Sequence, residues 1–483
     1  MPVDLPFVGK VMDFWKIEHS PESLALMEPA TGTQKTYGEL RRDVSQMLLP
    51  QNRSLIMLLA QNRYECLLSY LAALQTGHPL LLVDASLNRE LLQRLVDTYR
   101  PDYIHSSFPD LGLHGYEMRA QSALKVWENK TKEPRNIHPS LALLLNTSGS
   151  TGSPKLVRLS RENLQSNAAS IASYLNLTAA ERPITSLPMP YSYGLSVINS
   201  HLFAGAALTL TEHGVLRREF WDTIDQCGCT SFGGVPYTYE MLLQTGLLTK
   251  RGATLHTLTQ AGGTLGESHV REMHQLALGR GMKFFVMYGQ TEASPRISYV
   301  PFDKLGEKIG SIGVAVPDGS LHIDADTREL VYRGPNVMLG YAECLPDLAK
   351  GDELGGVLKT GDIARQDEDG FFYITGRIKR FLKLFGKRFN LDEVELIVQG
   401  RFGFPVACFG RDDLLMVAVE SADADVSKVT AMLRDTFGLP KDAIQVEKIE
   451  KLPRTSRGKM DYQSLAAARV PSDPIATVSQ AVR

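Results

Sequence analysis

The stretch Leu143-Leu-Leu-Asn-Thr-Ser-Gly-Ser-Thr-Gly-Ser-Pro-Lys-Leu-Val157 decides how the chain is read. The apolar run Leu141 to Leu145 reads as a buried strand. It empties into Thr147, Ser148, Gly149, Ser150, Thr151, Gly152 and Ser153. Glycines let successive backbone N–H groups converge on one point, hydroxyls add donors, and Lys155 adds a positive charge. Together these suit a polyphosphate. A Ser/Gly turn without a ligand is the competing reading, but the strand before the loop and the lysine after it favour phosphate. A Gly-Lys-Ser/Thr ending that opens a helix is missing. Pro154 disfavours helical backbone in the residue before it, so the loop is expected to join two strands, the second opening at Leu156-Val157.

The totals set the frame. With 483 residues the chain is expected to hold at least two domains. A composition of 43% hydrophobic and 22% charged residues is that of a globular protein, and the net charge of -2 marks no nucleic-acid surface. Five scattered cysteines predict a reducing compartment; Cys227 and Cys229 lack a second pair, which argues against zinc. No secretory signal is evident at the start, and no apolar run reaches the roughly 20 residues of a membrane helix. A cytoplasmic protein is expected.

Outward from the loop, strand and helix patterns alternate. Leu55 to Ala60, Pro79 to Val83 and Tyr103-Ile104 read as strands, and Tyr64 to Leu74 and Leu87 to Tyr99 as helices, which predicts a mostly parallel, helix-flanked sheet. Thr36 to Leu40 reads as a helix start. Pro188, Pro190 and Gly194 predict irregular backbone from Ser186 to Ser196, where Tyr191 and Tyr193 lie. Phe232-Gly233-Gly234-Val235 and Ala261-Gly262-Gly263 read as strand ends whose glycines let a ligand approach the backbone. Phe284 to Met287 is a strand ending in Tyr288-Gly289-Gln290-Thr291-Glu292. Ligands of parallel sheets gather at such ends. Tyr288 can stack on a purine, Thr291 can donate to phosphate, and Glu292 is a hard oxygen ligand for Mg²⁺. Glycine-punctuated strands after Ile309 predict a small β-barrel. Asp362, in Lys359-Thr360-Gly361-Asp362, can accept both hydroxyls of a ribose or simply form a turn. Arg377 can bind ribose or phosphate, or pair with a carboxylate. The last hundred or so residues read as a separate small α+β unit, with Lys459 on the loop Pro453-Arg-Thr-Ser-Arg-Gly-Lys459.

Four of these motifs, in this order, resemble the signatures of the acyl-adenylate-forming (AMP-binding) superfamily, which includes acyl-CoA synthetases, peptide-synthetase adenylation domains and firefly luciferase. They are the Thr147–Lys155 loop, Tyr288-Gly-Gln-Thr-Glu292, Thr360-Gly-Asp362 and the Lys459 loop; Thr36-Tyr-Gly-Glu-Leu40 agrees with them. The resemblance implies an α/β fold, with a large domain over 1–378 and a small mobile lid over 379–483. It implies ATP-dependent activation of a carboxylate to acyl-AMP and pyrophosphate, then thioester formation with CoA. Lys459, Lys155 and Glu292 would be catalytic, with Glu292 holding Mg²⁺. ATP would be bound by Thr147, Ser148, Gly149, Ser150, Thr151, Gly152, Lys155, Gly262, Tyr288, Thr291, Asp362, Arg377 and Lys459. Tyr191, Tyr193, Phe232, Gly233, Val235 and Met287 would line the substrate pocket, which points to an apolar or aromatic acid. Lys379 would be the hinge and Gly386 would line the pantetheine tunnel. No acid occurs between Ser186 and Leu210, which counts against an amino-acid substrate, and Tyr191 stands where many acyl-CoA synthetases carry histidine. The alternatives are a carrier-protein phosphopantetheine as acceptor, a luciferase-like oxidation of the adenylate, or a non-catalytic nucleotide-binding regulator.

Overall fold

Leu141 to Leu145 are all buried, as a strand covered on both faces requires. The computed structural model describes residues 13–87, 89–121, 124–131, 135–146, 155–378, 380–384, 387–411, 413–437, 439–455, 460–467 and 469. Strands β1 (Ile56–Ala60), β2 (Leu80–Asp84), β3 (Tyr103–Ser106) and β4 (Leu141–Asn146) form the parallel centre of an eight-stranded sheet, in the order β4-β2-β1-β3. Its margins are antiparallel: β5 (Leu156–Ser160) pairs with β4, and the hairpin Tyr116–Gln121/Lys125–Asn129 pairs with β3. The expectation of a mostly parallel sheet therefore holds at the centre and not at the margins. A parallel crossover needs a dozen or more residues, and the links from Asn146 to Leu156 and from Gln121 to Lys125 are shorter.

Helix α1 (Arg161–Leu175) follows β5 directly, capped by Ser160, whose hydroxyl accepts from Asn163 N at 3.0 Å while Asn163 Oδ1 accepts from Ser160 N at 2.9 Å. Thr36 and Glu39 make the same reciprocal cap, so the early Thr-Tyr-Gly-Glu segment is a helix start. Helix α2 (Ser192–Phe203) packs along α1. It occupies part of the segment expected to be irregular. Pro188 and Pro190 precede its first turn and cost it no hydrogen bond. Gly194 fits that turn because a Cβ there would overlap the Pro188 carbonyl.

Both helices cover a second sheet. Strands β6 (Ser231–Gly234), β7 (Thr257–Gln260) and β8 (Lys283–Gly289) are parallel, and β9 (Arg296–Tyr299) returns antiparallel to β8. Strand β10 (Gly340–Ala342) runs antiparallel to β5 and completes the first sheet. The short strands expected to close a barrel are ordered openly. Ser320–Ile323, Glu329–Arg333, β11 (Val357–Gln366) and β12 (Phe372–Arg377) are successive neighbours, with no last-to-first pairing among the described residues.

The chain divides into two compact units, Met1–His322 with Val331–Lys359, and Ile323–Leu330 with Thr360–Arg483. The second has its own core beneath helices α3 (Leu391–Phe402) and α4 (Val426–Phe437). There β14 (Leu414–Val419) lies between the antiparallel β13 (Val406–Arg411) and the parallel β15 (Ile444–Lys448). Arg380 ties this unit together through Asp392, Glu395 and the Tyr462 ring, 3.7 Å from its guanidinium.

Burial pushes two core histidines, His105 and His201, down to about 4. Both therefore stay neutral when folded, whereas the unfolded chain takes up a proton near pH 6.5. Stability is thus expected to be complete above pH 6.5 and to fall as the pH drops from 6.5 toward 4, by up to about 3 kcal/mol per histidine. Urea midpoints at pH 7.5 and 4.5 read this loss. A His105→Leu/His201→Gln variant with an unchanged pH dependence would assign the loss to other groups.

Candidate active site

Lys155 opens the strand that returns from the glycine-rich loop. Its Nζ lies over the Tyr341 ring, 3.7 Å from the centroid, and 3.6 Å from Glu343 Oε1. The Tyr341 hydroxyl donates to Glu292 Oε1 at 2.9 Å. One aromatic residue thus links the lysine of the first motif to the carboxylate of the second. Burial and the neighbouring Glu292 push the Tyr341 hydroxyl well above the usual phenol range, so it stays a donor.

Tyr341 is held in place by Arg158, which is 0% exposed. Arg158 Nε donates to Tyr341 O at 3.0 Å, Nη1 to Lys350 O and to Gly351 O at 3.1 Å, and Nη2 to Leu339 O at 3.3 Å and to the Glu353 carboxylate. Gly340 has φ +137°, and a Cβ there would overlap both Glu353 and Arg158.

The Tyr288–Glu292 segment leaves the carboxyl end of β8. Gly289 lets the chain fold against Pro295, whose carbonyl accepts from Gln290 N at 2.9 Å. Asn336 Nδ2 donates to Ala293 O at 2.6 Å and Arg296 O at 2.8 Å, and Met338 N donates to Glu292 O at 2.9 Å. Thr291 Oγ1 lies 3.0 Å from Ser192 Oγ in the first turn of α2, and Gln290 Nε2 donates to the Tyr288 hydroxyl at 3.1 Å.

The residues expected in the substrate pocket also converge. Gly262, at φ +87°, leaves room for the Tyr191 hydroxyl and faces Val235, 3.3 Å from where a Cβ would stand. A Cβ on Gly233 would stand 2.9 Å from the Tyr193 hydroxyl, which donates to Thr259 O at 2.7 Å. Phe232, Gly233 and Met287 line a buried cavity of about 20 Å³ between the second sheet and α1–α2. Phe232 also packs in a cluster with Phe220, Trp221 and Tyr239.

In the second unit, Asp362 and Arg377, read separately as ribose ligands, face each other across β11 and β12, with Arg377 Nε 2.9 Å from Asp362 Oδ1. Asp362 is 1% exposed. Thr147, Ser148, Gly149, Ser150, Thr151, Gly152, Lys379, Gly386 and Lys459 lie outside the described residues. Tyr341, Arg158 and Arg296 were not singled out from the sequence. Tyr341 has no motif of its own, because its partners are far away in the chain. The signal for Arg296 is a lone cation at the head of the strand pattern Ile297-Ser298-Tyr299.

The family model of the AMP-binding enzymes matches residues 14–342, more than half of the chain. The chain belongs to the AMP-binding enzyme family. It is an acyl-AMP-forming ligase of the carboxylate–CoA type. This ligase is 30% identical over 350 residues to the indoleacetate–CoA ligase of Aromatoleum aromaticum, covering 68% of each chain. It is 27% identical over 343 residues to the non-ribosomal peptide synthetase CmlP of Streptomyces venezuelae, covering 67% of this chain and 34% of that one. Its fold matches that of the o-succinylbenzoate CoA synthetase of Bacillus subtilis in complex with its acyl-adenylate, with a TM-score of 0.73 at 20% identity over 94% of this chain and 97% of that one. ATP-bound MatB from Rhodopseudomonas palustris matches with a TM-score of 0.74 at 22% identity, over 94% and 98%.

ATP, Mg²⁺ and CoA are the ligase's cofactor and co-substrates. Among the described residues no group of three His, Cys, Asp or Glu could hold a metal. Mg²⁺ is usually held by one or two carboxylates together with substrate phosphates. Glu292, oriented by Tyr341, is the carboxylate suited to this. A larger cavity, of about 400 Å³, opens where β1 and β2 end. Asp84 and Glu212 are in its wall, and no lysine or arginine among the described residues lines it, so it does not suit a polyphosphate. No helix among the described residues is long and apolar enough to cross a membrane.

Tyr341→Phe keeps the ring under Lys155 but removes the hydroxyl from Glu292. It is expected to shift the Mg²⁺ dependence of pyrophosphate release by about 10-fold or more, as loss of an outer-shell partner does; an unchanged Mg²⁺ response would detach Tyr341 from the metal. Arg158→Met is expected to lower stability by about 3 kcal/mol or more in urea unfolding, since it leaves several buried carbonyls unpaired.

Proposed function

We propose that the ligase carries out both half-reactions with the residues singled out above, Lys155, Tyr341 and Glu292 forming the fixed edge of its nucleotide site. The observation that carries this reading is the Lys155–Tyr341–Glu292 chain. It joins a cation for phosphate on the first sheet to a carboxylate for Mg²⁺ at the end of a strand of the second.

In the first half-reaction a substrate carboxylate oxygen attacks the α-phosphorus of ATP, the bond to the bridging oxygen breaks, and pyrophosphate leaves. Two anions must meet, so orientation and positive charge are the main requirements. Lys155 exchanges its exposed partner Glu343 for a β- or γ-phosphate oxygen, and Thr147 to Gly152 supply backbone and hydroxyl donors. Glu292 would hold Mg²⁺, which would supply positive charge for the phosphates. Tyr288 and Gly262 border the adenine, Thr291 donates to phosphate, and Asp362, oriented by Arg377, accepts the ribose hydroxyls. Lys459 bridges the carboxylate and the α-phosphate. In the second half-reaction the lid, 379–483, turns about Lys379 and withdraws Lys459. A thiol reaching the site past Gly386 then attacks the acyl carbon and releases AMP.

The acceptor is CoA, as the named CoA ligases among the relatives support. A carrier-protein phosphopantetheine is the second reading, favoured by the likeness to the peptide synthetase CmlP. A cytoplasmic location is supported by five free thiols, three of them buried.

Pyrophosphate release across a panel of acids, with and without CoA, tests the activity. Acyl-AMP that accumulates despite CoA would transfer the assignment to a carrier protein. Lys459→Ala is expected to slow adenylation by at least ~10²-fold while largely sparing thiolysis of supplied acyl-AMP. Equal loss in both half-reactions would remove Lys459 from its role.

A further inference from the structure

Gly233 and Gly262 read as places where a ligand could approach the backbone, and in the folded chain each is already filled by a tyrosine at the start of α2. A Cβ on Gly262 would overlap the Tyr191 hydroxyl, and a Cβ on Gly233 would stand 2.9 Å from the Tyr193 hydroxyl. Tyr191 immediately precedes α2 and Tyr193 lies in its first turn, so one short segment reaches the ends of both strands. Gly233 pairs with Thr259, three residues before Gly262. The two rings therefore cover successive parts of the space between α2 and the second sheet. Both are buried and meet edge to face, with 6.2 Å between centroids.

Tyr193 is held where it is. Its hydroxyl donates to Thr259 O at 2.7 Å and lies 2.8 Å from Thr259 Oγ1, and the Arg296 guanidinium lies 3.9 Å from its ring centroid. Swinging the ring aside would break those hydrogen bonds and strip a buried cation of its aromatic face. The cavity that Gly233 lines is walled mainly by Ile171, Leu175, Leu177, Val197, Phe232 and Met287. Its 20 Å³ or so is room for one water or one methyl group. Met287 is held as well: the Tyr174 hydroxyl donates to its Sδ at 3.0 Å, while the Tyr174 ring stacks on Tyr299 with 4.2 Å between centroids. An aromatic ring or a long acyl chain would have to displace several of these side chains at once, and overfilling a packed core is costly.

We infer that the acyl site is shallow, with Tyr191 and Tyr193 as its floor, and that the acid is a short aliphatic one of about two to four carbons. This rests on the ligase reading above and narrows its acid from the apolar or aromatic class to the small aliphatic members. The carboxylate of such an acid stays beside the nucleotide. Its few methylenes lie against the Tyr191 ring and Val235, whose Cγ1 is 3.3 Å from where a Gly262 Cβ would stand. Tyr193 is then a specificity-determining residue, because it takes up the volume that a longer tail needs.

The test is pyrophosphate release by the full chain with straight-chain alkanoates of two to ten carbons, beside benzoate and phenylacetate. The wild type is expected to use acids of two to four carbons best, with kcat/KM falling by about 10-fold or more for each methylene beyond four, as one methylene in a close-fitting pocket is worth. Tyr193→Ala should move the optimum to acids longer by about two carbons or more, and Met287→Ala by about one, each with KM for ATP unchanged. Tyr193→Phe, which keeps the ring, should keep the preference for short acids. If Tyr193→Ala does not fold, the wild-type series and Met287→Ala decide. A wild-type preference for acids of five or more carbons or for the aromatic acids, or turnover only of acids outside this set, would overturn the assignment and leave the ligase reading standing. An optimum that stays in place in the folded alanine variants would do the same. ATP bound with no acid of any class turned over would overturn both.

Discussion

Arg158 is a guanidinium with no solvent exposure at all, inside the first sheet, and the geometry of the site depends on it. Its donors reach four backbone carbonyls and one carboxylate between Leu339 and Glu353. A buried arginine is tolerable when its donors are taken up in this way. The consequence is local and specific. The strand Gly340–Ala342 is fixed beside Leu156–Ser160, Tyr341 is set opposite Val157, and its ring comes under Lys155 while its hydroxyl reaches Glu292. Motifs more than a hundred residues apart meet because one side chain fastens a third segment between them.

The same device recurs around the site. Asn62, 7% exposed, donates to the carbonyls of Thr185, Leu187 and Thr211 and accepts from Met189 N at 2.8 Å, which shapes the turn that leads into α2. Asn336 does this for the turn after Glu292, and Tyr332 donates to it in turn at 2.7 Å. Irregular segments carry backbone groups that no ladder satisfies. Here single buried amides satisfy several at once, so loops at the strand ends gain the rigidity that precise positioning of a nucleotide needs.

Much of this was legible in the sequence. The strands Leu141–Asn146 and Lys283–Gly289, and the helices after Ser160 and Thr36, follow from local patterns of burial and capping, which are written within a few residues. The candidate nucleotide residues were legible through motif likeness, a record of chemistry rather than of contacts. What escaped depends on distance along the chain. Tyr341 has a role only because of Lys155 and Glu292. Arg377 was read as a ligand of ribose or phosphate or as the partner of a carboxylate; that this carboxylate is Asp362, read as a ribose ligand, is a fact set by register. The start of α2 was misjudged because two prolines were read as breaking a segment that they in fact precede.

The two buried arginines of the first unit make the contrast that bears on function. Arg158 and Arg296 are similarly buried, yet the first spends its donors on the fold and the second keeps its Nε without a partner. Stability alone would replace such a residue with an apolar one of similar volume, since an uncompensated buried cation destabilises the folded state. His201 differs in kind: burial keeps it neutral down to about pH 4 and its Nδ1 faces the Val197 carbonyl, so its unpaired Nε2 carries no charge.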